Sequence, residues 1–188
     1  MTAPIPSAPP PPPPPAAPVS GLVYADVPNR AIAFILDYIV IILILVVVGL
    51  ILAPLGLAAA TVGSASVNAV GSIVVGAIGL LVAAGYFVWT WTNRRATLGM
   101  QLLGMQIGNA GDGKTLTNDQ AIRRYLALAA PGILSYALGG LPVIGALLGL
   151  LSLLWVIYLL YTTASSPTKQ GWHDVFANTQ VVKAAKSV

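Results

Sequence analysis

The chain has 188 residues, of which 57% are hydrophobic and only 7% charged, with no cysteine and one histidine. Soluble domains carry about 25% charged residues, so a soluble globular protein is excluded. Disulfides, thiol chemistry and a monomeric His/Cys zinc site are excluded with it. The net charge of +4 rests on nine Lys and Arg, without the aromatic-interleaved basic stripe of a single-strand binder, so no nucleic-acid partner is expected.

Residues 1–20 hold ten of the fifteen prolines, including the unbroken run Pro9 to Pro15. They read as a disordered or polyproline II cytoplasmic tail. The tail lacks the basic and apolar regions of a signal peptide and is expected to be retained. A protein partner of the SH3-like or WW-like kind is one use of such a tail; a solvated spacer is the commoner one.

A transmembrane domain is expected over 21–183, followed by a short tail at 184–188. Its first span is about 31–52, since about 20 apolar residues cross the hydrocarbon core. Pro28 stands where a helix starts. Arg30 lies at the mouth of this span and Asp37 inside it. Seven helical steps place the two on one face, about 10.5 Å apart along the axis. That is too far for a direct ion pair, so each needs another partner. An acid inside a bilayer costs roughly 2.5–3.5 kcal/mol on insertion scales and usually marks a functional site. Asp37 is either a fastener hydrogen-bonded between helices or a group that handles an ion or proton.

The loop at 53–66 is uncharged. A second uncharged span is expected at about 67–91, with Gly76 and Gly79 in small-xxx-small spacings that let helices approach closely. Tyr86, Trp89 and Trp91 gather at its end as an aromatic belt. The following loop, 92–124, carries Arg94, Arg95, Lys114, Arg123 and Arg124, and basic excess marks the cytoplasmic side. The tail with Lys169, Lys183 and Lys186 falls on the same side, so both termini are expected inside and the number of crossings is even.

Thr117-Asn118-Asp119-Gln120 has the form of a capping box and should open a helix near Asn118. The third span, about 121–138, is expected to be interrupted at Pro131-Gly132; an interfacial or re-entrant segment is the alternative. Gly139-Gly140-Leu141-Pro142 is a strong turn signal. The last span, about 143–162, carries the GxxxG pair Gly145/Gly149. The fold class is therefore an all-α integral membrane protein, a small bundle of about four transmembrane helices. A small cytoplasmic sheet is expected where Thr179 to Val182 pairs with the Leu102 to Ile107 run.

Gly108 to Thr115 matches the phosphate-loop pattern G-x-x-x-x-G-K-[ST]. No second acidic strand is available for magnesium and the next helix starts late, so a Gly-Asp-Gly turn explains the same residues better than a nucleotide site does. His173 and Asp174 form either a proton relay or, more commonly, a surface histidine beside a salt-bridged aspartate. No nucleophile elbow supports a hydrolase. No catalytic residue, metal site or cofactor is nominated.

Three pieces of the chain resemble the RDD family of bacterial membrane proteins, which is named for one arginine and two aspartates. They are Asn29-Arg30-Ala-Ile-Ala-Phe-Ile-Leu-Asp37, then Thr97-Leu-Gly99 with Leu102-Leu-Gly104, then Trp172-His173-Asp174 through Thr179-Gln-Val-Val182. Arg30, Asp37 and Asp174 fall on the eponymous positions. The family loop usually carries basic residues where Met100 and Gln101 stand here. The resemblance implies a multi-pass protein of the bacterial cytoplasmic membrane and a transport role, including cation/proton exchange. Arg30 and Asp174 would lie on the same side and pair as a fold lock, leaving Asp37 as the unpaired intramembrane acid. The expected function is transport of a small cation or proton by an oligomeric, non-enzymatic protein. The alternative is a membrane scaffold that binds partners through its small-residue faces and Pro-rich tail.

Overall fold

The computed structural model describes residues 22–55, 69–138 and 142–184. The Pro-rich tail at 1–20, the loop at 56–68 and the centre of the Gly139-Gly140-Leu141-Pro142 turn lie outside the described residues. Four long helices form the body: α1 (Val27–Leu52), α2 (Ala69–Asn93), α4 (Asn118–Leu138) and α5 (Pro142–Ser165). Two one-turn helices, α3 (Leu98–Leu102) and α6 (Trp172–Phe176), and three strands close one end.

α1 begins at Val27 with Pro28 in its first turn, where the missing N–H is no loss. It buries only Ala33, Asp37 and Ile41, a stripe of four-residue steps. Its other apolar residues point outward: Ile35 is 59% exposed, Leu43 61% and Leu50 70%. A core helix of a soluble protein would bury most of these; an exposed apolar surface of this extent marks contact with lipid or another protein. Val27–Leu52 and Ala146–Ser165 are each long and apolar enough to cross a membrane. α2 packs along α1 at Gly79, where a Cβ would stand 3.7 Å from Leu45.

α4 opens on the expected capping box. The Thr117 hydroxyl accepts from Gln120 N at 3.2 Å, and Gln120 Oε1 accepts from Thr117 N at 3.1 Å. The expected interruption at Pro131-Gly132 is absent, for the helix runs through Pro131 to Leu138. A proline inside a helix leaves the carbonyl four residues earlier without its N–H donor. That carbonyl belongs to Ala127, and the Trp155 indole of α5 donates to it at 2.9 Å. The neighbouring helix thus supplies the missing bond and pins α5 to α4.

Trp155→Phe should therefore destabilise the protein by about 1–3 kcal/mol, the cost of an unsatisfied buried acceptor. The same change should cost less in a Pro131→Ala background, where α4 can supply its own donor. Equilibrium unfolding in mixed detergent across the four-member cycle checks this; equal costs in both backgrounds would refute the exchange of donors.

β3 (Thr179–Ala184) is the centre of a three-stranded antiparallel sheet in the order β1-β3-β2, with β1 at Leu22–Tyr24 and β2 at Met105–Asn109. The pairing of the tail with the loop is as expected, in the register Met105↔Lys183 to Asn109↔Thr179. The expected strand residues Leu102 to Gly104 instead end α3, whose terminus is closed by Gly104 at φ +66°. The third strand, β1, was not expected; it pairs Leu22↔Ala184 to Tyr24↔Val182.

Candidate functional site

Asp37 is 2% exposed and lies against the short helix α3. Its Oδ1 accepts from Tyr86 Oη at 2.7 Å and from Gly99 N at 2.8 Å. Its Oδ2 accepts from the Thr97 hydroxyl at 2.5 Å. Thr97 is also the N-cap of α3, accepting from Met100 N at 3.2 Å. Asp37 thus closes the N-terminus of α3, satisfying donors that a helix start leaves over. Gly99 is required by the close approach: a Cβ there would fall on the Ala33 carbonyl. Of the two readings of Asp37, the hydrogen-bonded fastener is the one its contacts match. It has no ion pair among the described residues, but three donors from α2 and the α3 turn occupy it.

Asp174 is fully buried in the first turn of α6. Arg30 Nη1 donates to its Oδ2 at 2.6 Å, so the pairing expected from the sequence is present. Arg30 Nε also donates to the Ala25 carbonyl at 3.0 Å, tying α1 to the chain just before it. A second arginine, Arg124 of α4, donates to Asp174 Oδ1. Arg124 also reaches the Thr179 hydroxyl at 2.6 Å and lies over the Trp91 ring, 5.2 Å from its centre. Gly171 N caps the arrangement with a 3.1 Å bond to Asp174 Oδ2. One carboxylate therefore ties α1, α4, α6 and β3 together.

Sequence reasoning placed Arg124 among the loop charges. The signal that could have found it is the spacing Ala121, Arg124, Tyr125, Leu128, which sets the arginine within an otherwise apolar face of α4. Trp91, named for the aromatic belt, and Thr97 and Thr179, named only within the resembling pieces, were not assigned to the carboxylate sites, because each contributes through one hydroxyl or one ring with no charge to mark it. His173, 7% exposed, is not the surface residue expected; its Nε2 lies 3.4 Å from Asp174 Oδ2.

The two clusters share a cavity of about 350 Å³. Arg30, Asp37, Thr97, Arg124 and His173 line it together with a larger apolar wall from α1, α2, α4 and α5. Its exposed lining residues, Phe34 and Ile35 on α1 and Val156 and Leu160 on α5, mark the mouth between those two helices.

A family model described as the RDD family matches residues 24–178. The chain belongs to the RDD family. No curated protein and no solved structure matches it. In this RDD protein Arg30, Asp37 and Asp174 do two separate jobs: Asp37 holds α3 against α1, and Arg30 with Asp174 holds the end of α1 to α6. RDD membership and the two exposed apolar helices make this a membrane-associated protein.

The remaining expected positions are scattered. Gly76 is half-buried in α2, Gly145 lies within α5, and nothing approaches Gly149 within 4 Å. The Gly108–Thr115 run is a turn. Asn109 N donates to the Lys114 carbonyl at 2.9 Å and Gly113 N to the Asn109 carbonyl at 2.9 Å, while Lys114 pairs with Asp112 at 3.3 Å. Met100 and Gln101 lie in α3. Met100 is buried and Gln101 donates to the Ala96 carbonyl at 3.2 Å. Among the described residues no group of three His, Asp or Glu is placed to hold a metal.

Burial drives the His173 pKa down to about 4; Asp174 opposes this, while Arg124 and Arg30 add to it. Burial by itself would raise the Asp174 carboxyl, but Arg124 foremost, with His173 and Arg30, holds it well below the ordinary range. The unfolded chain binds a proton at His173 near pH 6.5, whereas the folded chain does so only near pH 4. Between those values the unfolded state holds more protons, so stability falls as pH drops from 6.5 to 4. The loss from this residue is about 3 kcal/mol. His173→Gln should flatten unfolding free energy over this window; an unchanged slope would refute the assignment. Asp174 adds a loss of the same sign only below about pH 4, where unfolded aspartates begin to protonate.

Proposed function

We propose that this RDD protein spans the bacterial cytoplasmic membrane four times and is transport-related, taking a small solute into the cavity between α1, α2, α4 and α5. α2, with 25 residues and no charged side chain, is about 37 Å of helix against a hydrocarbon core of about 30 Å. α4 has 21 residues with Asp119, Arg123 and Arg124 in its first two turns at the basic end, and its remaining stretch completes the even number of crossings. Arg30, Arg95 and Arg124 all lie at the end that carries the sheet, as their bonds to Asp174 and the Ile107 carbonyl require. Basic excess assigns that end, and with it both ends of the chain, to the cytoplasm.

The observation that carries the transport reading is the cavity itself, walled by the charged clusters and open between two lipid-exposed helices. It does not rest on Asp37 as a carrier. Three donors occupy Asp37 and two arginines hold Asp174, so a small cation meets no vacant carboxylate there.

The test is flux in proteoliposomes under imposed gradients of protons, sodium, potassium and small organic anions. Wild type is compared with Leu128→Trp, which fills the cavity from α4. Flux in wild type that is lost in a folded Leu128→Trp protein is expected. Absence of flux in wild type under every gradient would overturn the reading. The weight would then pass to a membrane scaffold, whose support is the open face at Gly149, where a second copy or another helix could pack closely.

A further inference from the structure

The charges at the cavity balance. Arg30 and Arg124 stand against Asp37 and Asp174, two basic side chains against two acidic ones. His173, with a pKa near 4, adds no charge at neutral pH. The carboxylates are already occupied by protein donors: Tyr86, Thr97 and Gly99 hold Asp37, and the two arginines hold Asp174. A charged guest would be buried without an opposite charge to pair with, which is costly.

The rest of the wall is hydrocarbon, including Phe87, Met100, Leu128 and Leu159. A water needs two to four polar partners, so apolar cavities stay dry and take apolar guests. The volume of about 350 Å³ holds roughly ten heavy atoms at liquid density. That is room for the end of one acyl chain and far too little for a two-chain lipid.

Depth decides which part of a lipid meets the mouth. α1 has 26 residues, about 39 Å of helix, against a hydrocarbon core of about 30 Å, which leaves about 4–5 Å at each end for the headgroup layer. Phe34, at the mouth, lies seven residues past the start of α1, about 10 Å along its axis. Leu160, across the mouth, lies five residues before the end of α5, about 8 Å along its axis. The mouth therefore opens below the headgroups, at the level of the acyl chains. It is continuous with the outward apolar surface of α1 and α5, the two helices long and apolar enough to cross a membrane.

We propose that the cavity takes the end of a single lipid acyl chain, which enters sideways from the bilayer between α1 and α5 and lies against Phe87, Met100 and Leu128, with its headgroup left outside. The inference deepens the reading of this cavity by naming its ligand class. It rests on the membrane placement of α1 and α5, and not on transport.

The experiment uses the full chain in lipid vesicles doped with phosphatidylcholine or phosphatidylglycerol that carries a photoactivated diazirine at the end of one acyl chain. Labelled residues are located by peptide mass spectrometry after illumination. Met100 and Phe87 are 8% and 7% exposed and belong to α3 and α2, so a chain that stays outside reaches neither. Leu43 of α1 and Leu151 of α5 face outward and report ordinary lipid contact. Leu128→Trp fills the cavity. Val156→Trp crowds its mouth from an outward-facing position where a larger apolar side chain does not threaten folding, and it decides the matter should Leu128→Trp fail to fold.

Wild type should carry label on Met100 and Phe87, equally for the two headgroups. Leu128→Trp and Val156→Trp should each lower that label at least about fivefold, since an obstructed pocket cannot hold the chain, and leave Leu43 and Leu151 unchanged. Label confined to the outward residues in wild type would overturn the inference, whether water or a second copy then fills the mouth. So would label on Met100 and Phe87 undiminished in a folded variant, or label found with phosphatidylglycerol alone, which would put a headgroup inside. Label in the cavity without flux would leave this site standing and sink transport. Flux without label in the cavity would do the reverse.

Discussion

Asp174→Ala should be the most damaging single substitution at the end that carries the sheet, costing about 5 kcal/mol. Breaking one buried pair costs about 3–5 kcal/mol because the surviving charge stays buried without compensation. Here two arginines lose their anion at once, Arg30 of α1 and Arg124 of α4, and Gly171 N loses its acceptor. Arg30→Ala should cost less, since Arg124 still neutralises Asp174. The exchange Arg30→Asp with Asp174→Arg, which would restore a simple pair, should fail: it places the new arginine beside Arg124. Equilibrium unfolding of the three proteins in mixed detergent decides this. A swap that recovers wild-type stability would mean that Arg124 is not a full partner of Asp174.

Gly99→Ala is expected to be comparably severe for a different reason. The added Cβ meets the Ala33 carbonyl, which is α1 backbone and cannot rotate away as a side chain could. Overpacking typically costs about 1–3 kcal/mol, and more where the obstacle is rigid. Separating α3 from α1 would also stretch the Gly99 N bond to Asp37 and loosen the Thr97 cap, so a loss of about 4 kcal/mol is expected. Gly104→Ala is the control. Gly104 has φ +66° with open space around it, so alanine there should cost only about 1–2 kcal/mol of backbone strain. Equal losses at the two positions would show that close approach is not why glycine stands at 99.

The two variants also separate the roles of the eponymous residues. Gly99→Ala should leave the Arg30–Asp174–Arg124 cluster intact, so its defect should not follow the pH dependence of His173. Asp174→Ala should deepen that dependence as well as lower stability, because burial, Arg124 and Arg30 would still disfavour a protonated His173 and the one charge that favours it would be gone.

Much of the architecture can be read directly from residue patterns. Long apolar runs, uncharged in α2 and α5 and broken by Asp37 in α1, set these three helices, because hydrophobic length is a local property. Thr117 to Gln120 announces the start of α4 through a capping box whose partners are three residues apart. The expectation that Arg30 meets Asp174 rests on the resemblance and on chain order, which puts Arg30 at the mouth of the first span and Asp174 just beyond the last on the same side. Pro131 marks a lost hydrogen bond in sequence, but whether the helix breaks there depends on Trp155, a residue of another helix.

What only the tertiary structure decided concerns partners far apart in the chain. A carboxylate's role depends on which donors reach it, and those of Asp37 come from Tyr86, Thr97 and Gly99, each at least 49 residues away. In sequence Asp37 reads equally as a fastener or as an ion-handling acid; in space its three donors make it a fastener. Arg124 likewise reads as a surface charge until α4 is set against α6 and β3. The sequence by itself determined a lipid-exposed helical protein with its charge gathered at one end. Folding decided that the carboxylates of Asp37 and Asp174 are saturated, because saturation is a property of distances, and distances between separate segments are not written in their order.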